Sequence, residues 1–124
     1  MLKTGLIIGS FFSLLTIVLG AFGAHALKDQ LNEYSQSIYD KAILYQMFHS
    51  LAILLISIID NATENIDLSL SIWMFCFGIV LFSGSLYVLA ITQAKCLGAI
   101  TPIGGVLFII GWSIVLLKVI SSNI

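Results

Sequence analysis

The sequence predicts an all-α integral membrane protein: four antiparallel transmembrane helices, with an amphipathic helical segment between helices 1 and 2. Three observations predict it. First, 60% of the 124 residues are hydrophobic and only 9% are charged. An ordinary soluble domain is roughly 45–50% apolar and about 25% charged. Eleven formal charges cannot solvate the surface of a 13.5 kDa globule, which excludes a soluble enzyme. Second, the few charges divide the chain into long uncharged runs. Third, those runs do not alternate polar with apolar, as the strands of a membrane barrel must.

The runs set the spans. Between Lys3 and Lys28 lie 24 residues, between Lys41 and Asp60 lie 18, between Asp67 and Lys95 lie 27, and between Lys95 and Lys118 lie 22. About 20 apolar residues cross a hydrocarbon core of roughly 30 Å. The expected spans are residues 4–26, 42–59, 69–91 and 97–118 of one four-helix domain covering 1–124. Ala24-His25-Ala26 resembles a leader-cleavage site. The apolar stretch before it exceeds the usual h-region of about 7–15 residues, so it reads as a retained helix. The net charge is −1, with five Lys, no Arg and no basic cluster. Nucleic acid is therefore not an expected partner. Lysines on the two sides number three against two, and the terminal amine cancels the difference, so charge does not orient the chain.

The connection over residues 27–41 is patterned. Leu27, Leu31, Tyr34, Ile38, Ala42 and Tyr45 recur at spacings of 4, 3, 4, 4 and 3, one helical face. This segment is expected to lie in the membrane interface or to extend the second span outward. Residues 60–68 form a short acidic turn, and residues 91–97 the last connection. If residues 76–96 are mostly one helix, Cys76 and Cys96 stand roughly 30 Å apart, so they read as two free thiols.

Helices in lipid associate through close packing of small residues. Gly5, Gly9, Ser13, Thr16, Gly20 and Gly23 make such a stripe along helix 1. Gly84 in helix 3, and Gly104, Gly105 and Gly111 in helix 4, are further packing positions. Such faces serve packing within the chain, or pairing into a homo-oligomer or a larger membrane complex. Thr101-Pro102 reads as a helix cap followed by proline at the first helical position, with a kink as the alternative.

No span carries Asp, Glu, Lys or Arg in its interior. That argues against a carboxylate proton relay or a sodium-coupled carrier. Two histidines remain. His49 lies near mid-span, with Tyr45 one turn earlier on the same face and Gln46 and Ser50 as close neighbours. His25 ends helix 1. His49 reads either as a structural histidine bonding across helices or as a ligand, metal or proton site, since ionisable residues inside membranes are functional candidates. The principal reading is a non-enzymatic membrane protein that acts by packing with itself, lipid or a protein partner, with no cofactor. Two alternatives stay open. One is a small transport or proton-transfer protein centred on His49. The other is a cofactor-binding subunit, with His25 and His49 as haem ligands.

At these residues the chain resembles a known family. Gly20-Ala21-Phe22-Gly23-Ala24-His25-Ala26-Leu27 is similar to the opening motif of the family of small, uncharacterised membrane proteins that includes bacterial YgdD and eukaryotic transmembrane protein 256. Tyr45-x3-His49, Phe82-Ser83-Gly84-Ser85-Leu86-Tyr87, Ile100-Thr101-Pro102-Ile103-Gly104-Gly105 and Gly111-Trp112 match its later motifs in order. The likeness runs from about residue 5 to 118. The sequence departs at Gln93 and Ala94, where a glycine is expected. The resemblance implies a four-helix protein of the bacterial cytoplasmic membrane. It implies no activity.

Overall fold

A computed structural model describes all 124 residues. Four helices are long and apolar enough to cross a membrane: α1 (Leu2–His25), α2 (Glu33–Ala62), α3 (Ser69–Thr92) and α4 (Lys95–Ser121). No strand is present. Each helix packs on its neighbours in the chain, α1 on α2, α2 on α3 and α3 on α4. The middle two are the inner pair. Of their most apolar stretches 44% is buried, against 17% for α1 and α4. One apolar core gathers Phe12, Ile53, Ile72, Phe75 and Phe108; a second joins Tyr39, Ala42, Leu86 and Tyr87 nearer the other end.

The ends of the helices follow local chemistry. Asn32 caps α2, its Oδ1 accepting the Ser35 amide at 2.7 Å. The negative Glu33 in the first turn favours that end of the helix dipole. Of the two expectations for the amphipathic segment, the structure shows the second: it extends α2 outward. Residues 26–32 turn, and from Glu33 the segment is the outer part of α2. The physical reason is the cap: Asn32 starts a helix that then has no break before Ala62. The inward face also differs from the expected one. Ser35, Ile38, Tyr39 and Ala42 are buried, whereas Tyr34 is exposed. At the opposite end, Asp60 Oδ1 accepts the Leu68 amide at 2.6 Å, so a carboxylate from α2 sits at the start of α3. Hydrogen bonds from Ser69, its backbone amide foremost, hold the Asp67 carboxyl below its usual value.

Two irregularities interrupt α3 and its exit. Within the helix the backbone widens into a π-turn over Ile79–Ser83, where the Gly84 amide bonds the Ile79 carbonyl five residues back. At its close, α3 turns out through Gln93, the one non-glycine residue in the left-handed region (φ 57°). This is the position where the family resemblance calls for glycine. A side chain there costs about 1–2 kcal/mol, and glycine avoids that cost. The helix-start reading of Thr101-Pro102 shifts by one residue. A 3-10 turn over Lys95–Ala99 comes first, and Thr101 is the first residue of the regular helix rather than its cap. Its hydroxyl turns back to the Leu97 carbonyl and sits 2.6 Å from Ser85 Oγ, so it bonds across to α3 instead of capping forward.

The small residues divide into two groups. A Cβ on Gly104 would lie 2.3 Å from the Phe82 backbone nitrogen, so α3 and α4 touch main chain to main chain beside the π-turn. Gly5 meets Ser57, Gly9 meets Leu54, Gly23 meets Tyr39, and Gly111 meets Phe75 at similarly close range. Gly105 lies in ordinary contact with Phe82. Gly20 and Gly84 have nothing within 4 Å of that position. Neither is a close-packing position within this chain: Gly84 faces open space, and Gly20 does so because a stripe of spacing 3 and 4 is wider than the line along which two helices touch.

Alanine at Gly104 meets backbone that no rotamer can move aside. Gly104→Ala is expected to destabilise the fold by about 1–3 kcal/mol. Gly84→Ala meets open space, and the better helix former should be neutral or stabilising by up to about 1 kcal/mol. Unfolding of both variants in mixed micelles measures the difference; equal effects would contradict the packing described.

Candidate functional site

The polar side chains inside the membrane converge on α2. With no water in the hydrocarbon core, each buried donor needs a protein partner. Gln46 is buried and bonds two helices at once. Its Nε2 donates to the Phe12 carbonyl of α1 at 3.0 Å, and its Oε1 accepts the Tyr87 hydroxyl of α3 at 2.7 Å. Ser50 lies 3.2 Å from Ser13 of α1, and the Ser83 hydroxyl of the π-turn donates to the Ala42 carbonyl at 2.8 Å. The Tyr39 hydroxyl donates to the Leu19 carbonyl.

His49 makes the link to α4. It is only 3% exposed. The Trp112 indole N–H donates to its Nε2 at 3.1 Å, and its Nδ1 lies 2.8 Å from the Tyr45 carbonyl. An indole nitrogen is a donor only. Nε2 must therefore offer its lone pair, and Nδ1 must carry the proton given to Tyr45. Both ring nitrogens are occupied within the chain, and the ring is neutral. Phe108 stacks on it with centroids 3.6 Å apart and planes 6° from parallel. The edges of Phe48 and Phe75 close two further sides, at 5.1 and 5.2 Å. Tyr45 and His49 do share a face, their rings 6.2 Å apart.

His25 stands elsewhere. It ends α1, is exposed, and is not among the residues of the cavity that His49 lines. The two histidines do not meet, so a bis-histidine haem site does not fit this arrangement. Depth along unequal helices separates them: His25 is at a membrane end, whereas His49 lies sixteen residues into α2. Of the remaining residues singled out from sequence, Ser13 reaches Ser50, and Thr101 with Pro102 begins the regular part of α4. Sequence reasoning noted Gln46 only as a neighbour of His49. The signal that could have found it is an amide side chain in mid-span, which lipid tolerates only when bonded.

Between α2 and α4 lies a groove open to the lipid, of about 880 Å³. It exists because α4 packs along α3 and meets α2 through side chains. Leu44, Tyr45 and Phe48 form one wall, Pro102, Gly105, Ile109 and Leu116 the other. Phe82, His49, Phe108 and Trp112 make the floor.

Comparison with known proteins decides the family. Residues 19–105 match the model of a family described as a protein of unknown function, DUF423. The chain belongs to the DUF423 family. Among its relatives, a UPF0382 membrane protein of Staphylococcus epidermidis is 49% identical over 116 residues, covering 94% of each chain. A UPF0382 membrane protein of Staphylococcus saprophyticus is 49% identical, covering 90% of this chain and 92% of its own. One from Staphylococcus haemolyticus is 43% identical over 94% of this chain and 95% of its own. No solved structure matches. These relatives are named membrane proteins of bacteria, and with its four apolar helices this DUF423 chain is a bacterial membrane protein, as the resemblance implied. The family carries no enzymatic name and no assigned activity.

The His49–Trp112 bond has a measurable energy. His49→Leu leaves the indole N–H without its acceptor and is expected to cost about 1–3 kcal/mol. His49→Gln keeps an acceptor and should cost less. A double-mutant cycle with Trp112→Phe should return a coupling of about 0.6–1.7 kcal/mol; strict additivity would contradict the bond.

Proposed function

We propose that this protein is a non-catalytic membrane component that works by binding, with the α2–α4 groove as its contact surface for the hydrocarbon part of a lipid. The observation that carries this reading is that both nitrogens of His49 are occupied inside the chain. A proton-transfer site or metal ligand needs a free ring nitrogen, and here Trp112 would have to leave first. Besides His49, the only side-chain polar groups lining the groove are the Trp112 indole N–H, the Tyr45 phenol and the Ser113 hydroxyl, with no carboxylate, amine or thiol.

The lining favours a flexible chain over another helix. Helices in lipid need small residues to approach one another. Gly5, Gly9, Gly23, Gly104 and Gly111 are already filled by this chain's own side chains and backbone. The groove instead presents Tyr45, Phe48, Phe82 and Trp112, which hold a partner backbone at a distance but accommodate methylene chains. Its volume falls in the range of roughly 300–1,000 Å³ typical of small-molecule sites. From Pro102 to Leu116 it follows α4 for about 21 Å, longer than a half-bilayer of roughly 15 Å of hydrocarbon.

Trp112 reports on the groove directly. In a Trp73→Phe background, lipids brominated on the acyl chain should quench Trp112 fluorescence strongly, and Gly105→Leu, which fills the groove, should reduce that quenching at least two-fold. The same protein in proteoliposomes should pass no more protons than empty vesicles. Unquenched Trp112, or proton flux that His49→Gln abolishes, would overturn the reading.

A further inference from the structure

We infer that the groove belongs to a larger site for one anionic glycerophospholipid, whose phosphate headgroup sits in a separate polar hollow at the membrane end. This rests on the groove as a lipid contact and adds the headgroup. The hollow, about 400 Å³, lies between the start of α2 and the turn from α3 to α4. Lys95 is its only charged residue, with Asn32, Tyr34 and Gln93 beside it. The Tyr34, Gln93 and Lys95 side chains are exposed there, and none of them forms a hydrogen bond or ion pair within the chain, so all three are free to meet a ligand. The Asn32 Oδ1 is used as the cap of α2, which leaves its NH₂ outward. Three donors and one positive charge facing one hollow suit a phosphate diester.

The hollow and the groove share no lining residue but lie in register along the same helices. On α2, Tyr34 of the hollow and Tyr45 of the groove are eleven residues apart. That is about 16 Å along the axis and only about 20° around it, so both lie on one face. On the other side, Gly98 of the hollow is followed one turn later by Pro102 of the groove. Gly98 leaves open space where a side chain would stand. A headgroup at Lys95 therefore has a path past Gly98 for its acyl chain toward Trp112. The exposed backbone turn at Gln93 holds the amide at the rim. One cation at the rim, with no anion lining the hollow, and an apolar groove following α4 for about 21 Å suit a lipid that joins a net negative phosphate to an acyl chain.

Native mass spectrometry on the full chain tests it, after washing in mild detergent that contains either dioleoyl phosphatidylglycerol or dioleoyl glycerol. The chains are identical and only the first carries phosphate. Wild-type protein should retain the phosphatidylglycerol at least ten-fold better. Lys95→Gln, at an exposed position, should bring it down to the level of the diacylglycerol, and Gly105→Leu should lower both. Equal retention of the two lipids, or retention unchanged in Lys95→Gln, would overturn the headgroup site and leave the groove standing. Retention of neither lipid, with Gly105→Leu indistinguishable from wild type, would overturn the groove as well.

Discussion

The structure depends on one constraint: inside lipid, a buried polar group must be satisfied by the chain itself. α2 is where that constraint is met. Gln46 ties α2 to α1 and α3, and His49 ties it to α4, within a single turn of helix. Ser50 and the Ala42 carbonyl add further bonds to α1 and to the π-turn. Each such bond is worth about 0.6 kcal/mol on average in a membrane protein. Their larger effect is on specificity, because a rotated or shifted α2 would leave several of them unmade together. Ser71 Oγ is the one buried side-chain polar atom without a partner.

Close packing works beside this polar ladder. Glycines let α1 reach α2 and let α4 reach α3 at backbone distance. The π-turn brings Phe82 and Ser83 to two different neighbours, Phe82 to Gly104 and Ser83 to Ala42. Because α4 is held by α3, it stands away from α2, and bulky rings occupy the interval. The lipid-facing groove is thus a consequence of which helices approach closely, and His49 with Trp112 sets its depth.

Much of this was legible in the sequence. The charges that bound the four runs gave the ends of the first, third and fourth helices to within three residues, whereas the second helix begins at Glu33, nine residues before the expected start. Gly5, Gly9 and Gly23 announced a close face on α1. Gly20 lies on the same stripe yet meets open space, because spacing gives a face but not the line of contact on it. The pairing of Tyr45 with His49 followed from helical geometry alone. Trp112 as the partner of His49 did not, since sixty-three residues separate them and only the tertiary arrangement joins them. The same holds for Tyr87 and Gln46. The amphipathic segment was readable as helical; its fusion with α2 turned on Asn32 as a cap. The separation of the two histidines needed the depth of each in its own helix.

A binding role without proton chemistry requires that His49 be closed on both sides. The most direct test is nitrogen NMR of the protein in lipid bilayers with ¹⁵N in the histidine ring. The expected spectrum shows a neutral ring protonated at Nδ1, with Nε2 unprotonated and its shift moved by Trp112→Phe. A ring protonated at Nε2, or one charged at neutral pH, would contradict the bond from Trp112 and reopen His49 as a reactive group.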